Sequence, residues 1–170
     1  MTIYGDVLYR GRPYDLAKLD DKVDRWYVMA YDFHKAGGLP GPTFPLKQGD
    51  LYPYSLETLV EEWPVPMRKT HIVIGMFGYT WRVDELGRPL KVASAVTARQ
   101  GMNKRSRCQG SSTCSIKRDS TSSELLIREK AEADYWDETW VSDSDSAIEK
   151  ISFLRSRGIS GISFWALGYF

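Results

Sequence analysis

A chain of 170 residues that is 42% hydrophobic and 26% charged is long and apolar enough to bury a core as one domain, which excludes a disordered tail. Its formal net charge of +1 provides no global field for nucleic acid or an anionic membrane, so neither is expected as a partner. No apolar run reaches the about 18 residues of a spanning helix, and the first eleven residues lack the basic-then-apolar order of a signal peptide.

Taken in order, the chain alternates strands and helices. A short strand remnant is expected near Ile3–Leu8 and a helical stretch over 15–23. The apolar run 25–32 predicts a strand. A helix follows over 55–63, with Leu56, Leu59 and Val60 on one face and Pro64 stopping it. Residues 71–77 read as the next strand. A second helix starts at Ser146, where Ser146 and Glu149 have capping-box spacing, and ends at Gly158. Residues 162–167 form the last strand. Near-continuous apolar strands alternating with helices predict an α/β fold with a parallel sheet, and Tyr31, Asp32, Tyr79, Trp81 and Trp165 then fall at or just after strand carboxyl ends, where such sheets keep their sites.

Between 97 and 124 the composition turns to Ser, Thr, Gly and basic residues, so this segment reads as an exposed or partly disordered insertion. Its basic residues, Arg99, Lys104, Arg105, Arg107, Lys117 and Arg118, lack interleaved aromatics and read as a solvated loop rather than a nucleic-acid contact. Cys108 and Cys114 could close a small disulfide loop or stand as two thiols. His34 and His71 have no second ligand at metal spacing, so no metal or other cofactor is expected. Asp134, Asp137 and Glu138 read as a polar loop rather than an acid and base pair.

Three segments carry a family signature. Met29, Tyr31 and Asp32 end the first strand in a Met-x-Tyr-Asp pattern, followed by Leu39-Pro-Gly-Pro-Thr43. Gly78-Tyr79-Thr80-Trp81 follows the second, and Gly161-Ile-Ser-Phe-Trp165-Ala-Leu-Gly168 makes the last. Ahead of the final helix, Trp140, Asp143, Ser146 and Lys150 keep a Trp-x-x-Asp-x-x-Ser-x-x-x-Lys spacing. Together these resemble the sixth to eighth strands of glycoside hydrolase family 18, the chitinases and their spore-lytic relatives.

The resemblance implies a partial (β/α)8 barrel over 1–170, acting on chitin or peptidoglycan, with a polymer or oligosaccharide of β-linked N-acetylglucosamine as its ligand. It implies that Tyr31 positions the substrate's acetamido group, its one retained catalytic role, that Asp32 bonds a sugar hydroxyl, and that Trp165 floors the subsite. Met29, Tyr79 and Trp81 would complete the wall, with aromatic faces meeting the apolar faces of pyranose rings. An extracellular or cell-envelope location follows from the family only.

The acidic motif is the point of departure. Family members protonate the glycosidic oxygen with a glutamate closing Asp-x-x-Asp-x-Asp-x-Glu, while the acetamido oxygen is the nucleophile. The nearest approach here, Asp143-Ser-Asp145-Ser-Ala147, ends in Ala and reads as a helix cap. A full barrel typically has about 250 residues, so the chain is expected to lack the amino-terminal half, which is a candidate partner, and not to hydrolyse alone. It would be either part of a split or truncated hydrolase or a reduced descendant with a re-closed sheet. A noncatalytic, lectin-like protein is the rival reading, and a structural module whose aromatics are only core is the third.

Overall fold

In the computed structural model, which describes residues 1–50, 52–132 and 134–170, the chain forms two sheets and four helices among the described residues. A four-stranded parallel sheet is built from β1 (Thr2–Tyr4), β2 (Trp26–Ala30), β3 (Thr70–Gly75) and β9 (Gly161–Trp165), in that spatial order. Helices α1 (Leu16–Asp20), α2 (Leu56–Glu62) and α4 (Ser144–Ser156) accompany it. The expected remnant near the amino terminus is β1, the partner of β2.

Between β3 and α4 the chain builds a second, antiparallel sheet. Its strands are β4 (Phe77–Val83), β5 (Ser94–Thr97), β6 (Cys114–Arg118), β7 (Leu125–Glu132) and β8 (Tyr135–Val141), ordered β5-β4-β8-β7-β6. Helix α3 (Ala98–Cys108) packs against it. The expected loop over 97–124 is therefore corrected. Its apolar contribution to the core is sparse, but Thr97 caps α3 in a reciprocal capping box with Gln100, and Cys108 and Cys114 are joined as a disulfide. Arg118 leaves the solvated class altogether, as described below. Asp137 and Glu138 lie on β8 and pair with Arg82 and Arg128 rather than in a loop.

The expected strand over 71–77 is split. At Met76 the chain leaves one sheet for the other: its N–H donates to Trp165 O at 2.6 Å, and its carbonyl accepts from Ala98 N at 3.0 Å. The first strand also stops early, at Ala30, because Asp32 has φ of 63°, outside extended geometry.

One face of the parallel sheet is the main core. Trp26, Val28, Ala30, Ile72 and Ile74 pack with Leu56 and Leu59 of α2 and Ala147 and Leu154 of α4. Ser55 caps α2 by accepting from Thr58 N at 3.1 Å. For α4 the cap is Asp143, not Ser146: its carboxylate accepts from Ser146 N at 3.0 Å. Gly158, with φ of 76°, follows the helix end as expected. On the opposite face, Tyr27, Met29, Tyr31, His71 and Ser163 remain only partly covered. No helix is long and apolar enough to cross a membrane among the described residues.

Candidate functional site

A cavity of about 430 Å3 opens where the carboxyl ends of β2 and β9 meet the antiparallel sheet. Its walls include Tyr31 and Asp32 just after β2, Phe77 and Tyr79 of β4, Thr97 at the end of β5, Trp165 at the end of β9, and Tyr169. Parallel pairing aligns these ends: Ala30 lies opposite Ile74, and Gly75 opposite Trp165. Gly75 is required by the close approach. A Cβ there would sit 2.9 Å from Tyr31 Cβ and 2.7 Å from the Phe77 ring.

The polar centre of the cleft is a pair contributed by both sheets. Tyr79 donates its hydroxyl to Asp32 Oδ1 at 2.8 Å. Burial, then the bond to Asp32, raises the Tyr79 phenol above its ordinary range. Burial, followed by the Asp32 charge, pushes Tyr31 up to about 12, so it stays a neutral hydroxyl that can donate or accept. The Tyr31 ring meets Phe77 edge-on at 5.5 Å, which fixes its position. Trp165 is 51% exposed and available to a ligand face.

Of the expected site residues, Tyr31, Asp32, Tyr79 and Trp165 are brought together. Trp81 is not. It is 0% exposed, packs with Val83 and Trp140, and donates its indole N–H to Gly38 O at 3.0 Å. On β4 it shares a face with Tyr79, but the loop after β2 covers it, so it supports the Tyr79 ring edge-on at 5.6 Å instead of touching the cleft. Met29 is also displaced: it lines a separate cavity with Tyr4, Asp6, Arg12 and Tyr14 beside β1. Phe77, Ala95, Val96, Thr97 and Tyr169 were missed, and for Thr97 the capping-box spacing to Gln100 was a signal present in the sequence.

The spaced run before α4 holds the cleft's supports. Arg118 grips Asp143 through two hydrogen bonds, 2.6 Å and 2.7 Å, and donates to Ser123 O at 2.9 Å. Ser146 donates to the same Ser123 carbonyl at 2.6 Å. Lys150 donates to the buried Glu124 at 2.8 Å, and Glu124 also accepts from Thr43 N, Thr43 Oγ1 and Phe44 N. This pins the Pro-Gly-Pro loop, whose Pro42 carbonyl accepts from His34 Nδ1 at 2.8 Å. Among the described residues no group of three or more His, Cys, Asp or Glu side chains is placed to hold a metal ion. The cleft offers hydroxyls, one carboxylate and aromatic faces.

The family model described as Glycosyl hydrolases family 18 matches residues 3–169. The chain belongs to glycosyl hydrolases family 18. Among family 18 relatives it is 28% identical over 156 residues to the "Putative sporulation-specific glycosylase YdhD" of Bacillus subtilis, covering 92% of this chain and 34% of that protein. It is 27% identical over 151 residues to the cortical fragment-lytic enzyme of Bacillus anthracis, covering 86% of this chain and 32% of that protein. The chain thus spans about a third of the length of these curated relatives. The spore cortex-lytic enzyme SleL of Bacillus cereus has the same fold, with a TM-score of 0.77 at 22% identity over 99% of this chain and 38% of that one.

Proposed function

We propose that this chain forms the carboxyl-terminal part of a family 18 barrel and one wall of a cleft for β-linked N-acetylglucosamine polymers, binding them without hydrolysing them on its own. The observation that carries the reading is the convergence of Tyr31, Asp32, Tyr79 and Trp165 on one cavity at the carboxyl ends of parallel strands. In this reading Trp165 lies under a pyranose ring, Tyr31 bonds the acetamido group, and Asp32, held by Tyr79, accepts from a ring hydroxyl.

Two features support a partial barrel. Among the described residues β1 pairs with β2 alone and β9 with β3 alone, and the sheet face bearing Tyr27, Met29 and His71 is incompletely covered. Parallel sheets are ordinarily buried on both faces, so further βα units fit there. The names of the relatives, which refer to sporulation and cortex lysis, favour peptidoglycan over chitin as the polymer.

The lack of hydrolysis rests on chemistry. None of these 170 residues closes an Asp-x-x-Asp-x-Asp-x-Glu run. A phenol raised to about 12 does not protonate a glycosidic oxygen near neutral pH. The exposed Trp165 favours a lectin-like binding role over a purely structural one, whereas the buried Trp81 contributes to neither.

The test pairs two assays. Chito-oligosaccharides should perturb Trp fluorescence of the purified chain, Trp165→Ala should weaken that response, and a chitobioside reporter should release no fluorophore. Turnover that survives Tyr31→Phe would place the catalytic apparatus elsewhere, and a folded sample that ignores oligosaccharides would remove the sugar cleft.

A further inference from the structure

The cleft continues beyond its aromatic end. Ala95 and Val96, which line it, also line a second concavity of about 310 Å3 whose other walls are Gln100, Asn103, Lys104 and Arg107. The spacing 100, 103, 104, 107 places those four side chains on one face of α3. Thr97 joins the two regions. It lines the first cavity and caps α3, so the helix leaves directly from the cleft and covers roughly 10 Å between Gln100 and Arg107.

The charge of this extension is one-sided. Helix α3 carries Arg99, Lys104, Arg105 and Arg107 and no acidic residue. Lys104 is answered only by Glu129 at 3.8 Å, and Arg107 is exposed and forms no salt bridge among the described residues. The single carboxylate of the aromatic cavity, Asp32, is engaged by Tyr79. A neutral sugar polymer would leave the two cations unmatched, whereas a carboxylate beside the ring at Trp165 would meet an ammonium, a guanidinium and two amides.

We propose that the Gln100–Arg107 face of α3 is a subsite for a carboxylate carried by the polymer, selecting a lactyl-ether-bearing, peptidoglycan-type glycan over plain chitin. This rests on the sugar-cleft reading above and adds the substituent that the cleft prefers. The mechanism is recognition alone, and no bond is made or broken by these residues.

The test measures affinity by Trp fluorescence for three ligands of equal length: a chito-oligosaccharide, a muramoyl-containing oligosaccharide, and the latter with its carboxyls reduced to alcohols. The chain should bind the carboxylated ligand more tightly than the other two. Lys104→Gln with Arg107→Gln should cut that affinity roughly tenfold, on the scale of two exposed ion pairs, and leave the chito-oligosaccharide unchanged. Added salt should mimic the double variant.

Equal affinity for all three ligands would overturn the subsite while sparing the sugar cleft. Equal losses for neutral and acidic ligands in the double variant would overturn it too. Charge-dependent binding of a hyaluronan oligosaccharide, whose carboxylate sits on the ring, without the same for the muramoyl ligand would overturn the peptidoglycan assignment. A folded chain that binds none of them would remove both readings together.

Discussion

Two tryptophans with similar sequence credentials have opposite roles. Trp165 is half exposed at the mouth of the cleft, and Trp81 is fully enclosed with its N–H bonded to Gly38. Trp81→Ala should therefore cost about 3–5 kcal/mol, read as a lower urea midpoint, because it opens a large void and orphans a carbonyl. Trp165→Ala should leave that midpoint nearly unchanged and act on ligand affinity alone. Tyr79→Phe belongs between these cases. It removes one hydrogen bond from Asp32, so stability should fall by only about 1 kcal/mol, while oligosaccharide titration should show a severalfold loss as the carboxylate loses its fixed orientation. Tyr31, Asp32, Tyr79 and Trp165 were legible because each ends or follows a strand with an uncommon local pattern. The fate of Trp81 was not, since it depends on Gly38, a residue 43 positions away that covers it.

At the scale of elements, the parallel strands were readable because they are near-continuous apolar runs such as Ile72-Val-Ile74. The antiparallel sheet was less so. Strand β6, Cys114–Arg118, is largely solvent-facing and polar, and β4 follows β3 with only Met76 between them, so the two merged into one apparent strand. Packing supplied by α3 and by the Arg118–Asp143 clamp completes what local propensity leaves undecided. Burial alone would disfavour ionised Asp143, but Arg118 and the Ser146 N–H outweigh it and hold the carboxyl below its usual value. A depressed folded pKa means stability that is present above the ordinary aspartate range, near about 4, and lost as pH falls through the folded value. Asp143→Ala should cost about 3 kcal/mol at neutral pH, because it leaves Arg118 without its partner and α4 without its cap. Urea titrations at successively lower pH should show the difference from the parent chain shrinking below about pH 4.

For the whole molecule, the consequential feature is a parallel sheet of four strands with both edges open among the described residues. Phe164 and Trp165 on β9 and Tyr4 on β1 are exposed at those edges. A chain whose barrel-facing surface is bare should bind a hydrophobic dye such as anilinonaphthalene sulfonate. Supplying an amino-terminal half-barrel from a family 18 relative, in the same chain or beside it, should quench that signal and raise the urea midpoint. Unchanged dye binding in a complex that demonstrably forms would mean that the added half sits elsewhere.

The buried carboxylate of Glu124 ties together positions 43, 124 and 150, three stretches distant along the chain and belonging to a loop, the antiparallel sheet and α4. None of these can satisfy its polar groups until the other two arrive. The second sheet therefore has no route to finishing ahead of the carboxyl-terminal helix, and late closure of such long-range contacts slows assembly. Unfolding should run as a single step, with amides of β7, β2 and α4 exchanging hydrogen at one common free energy rather than in two separate sets.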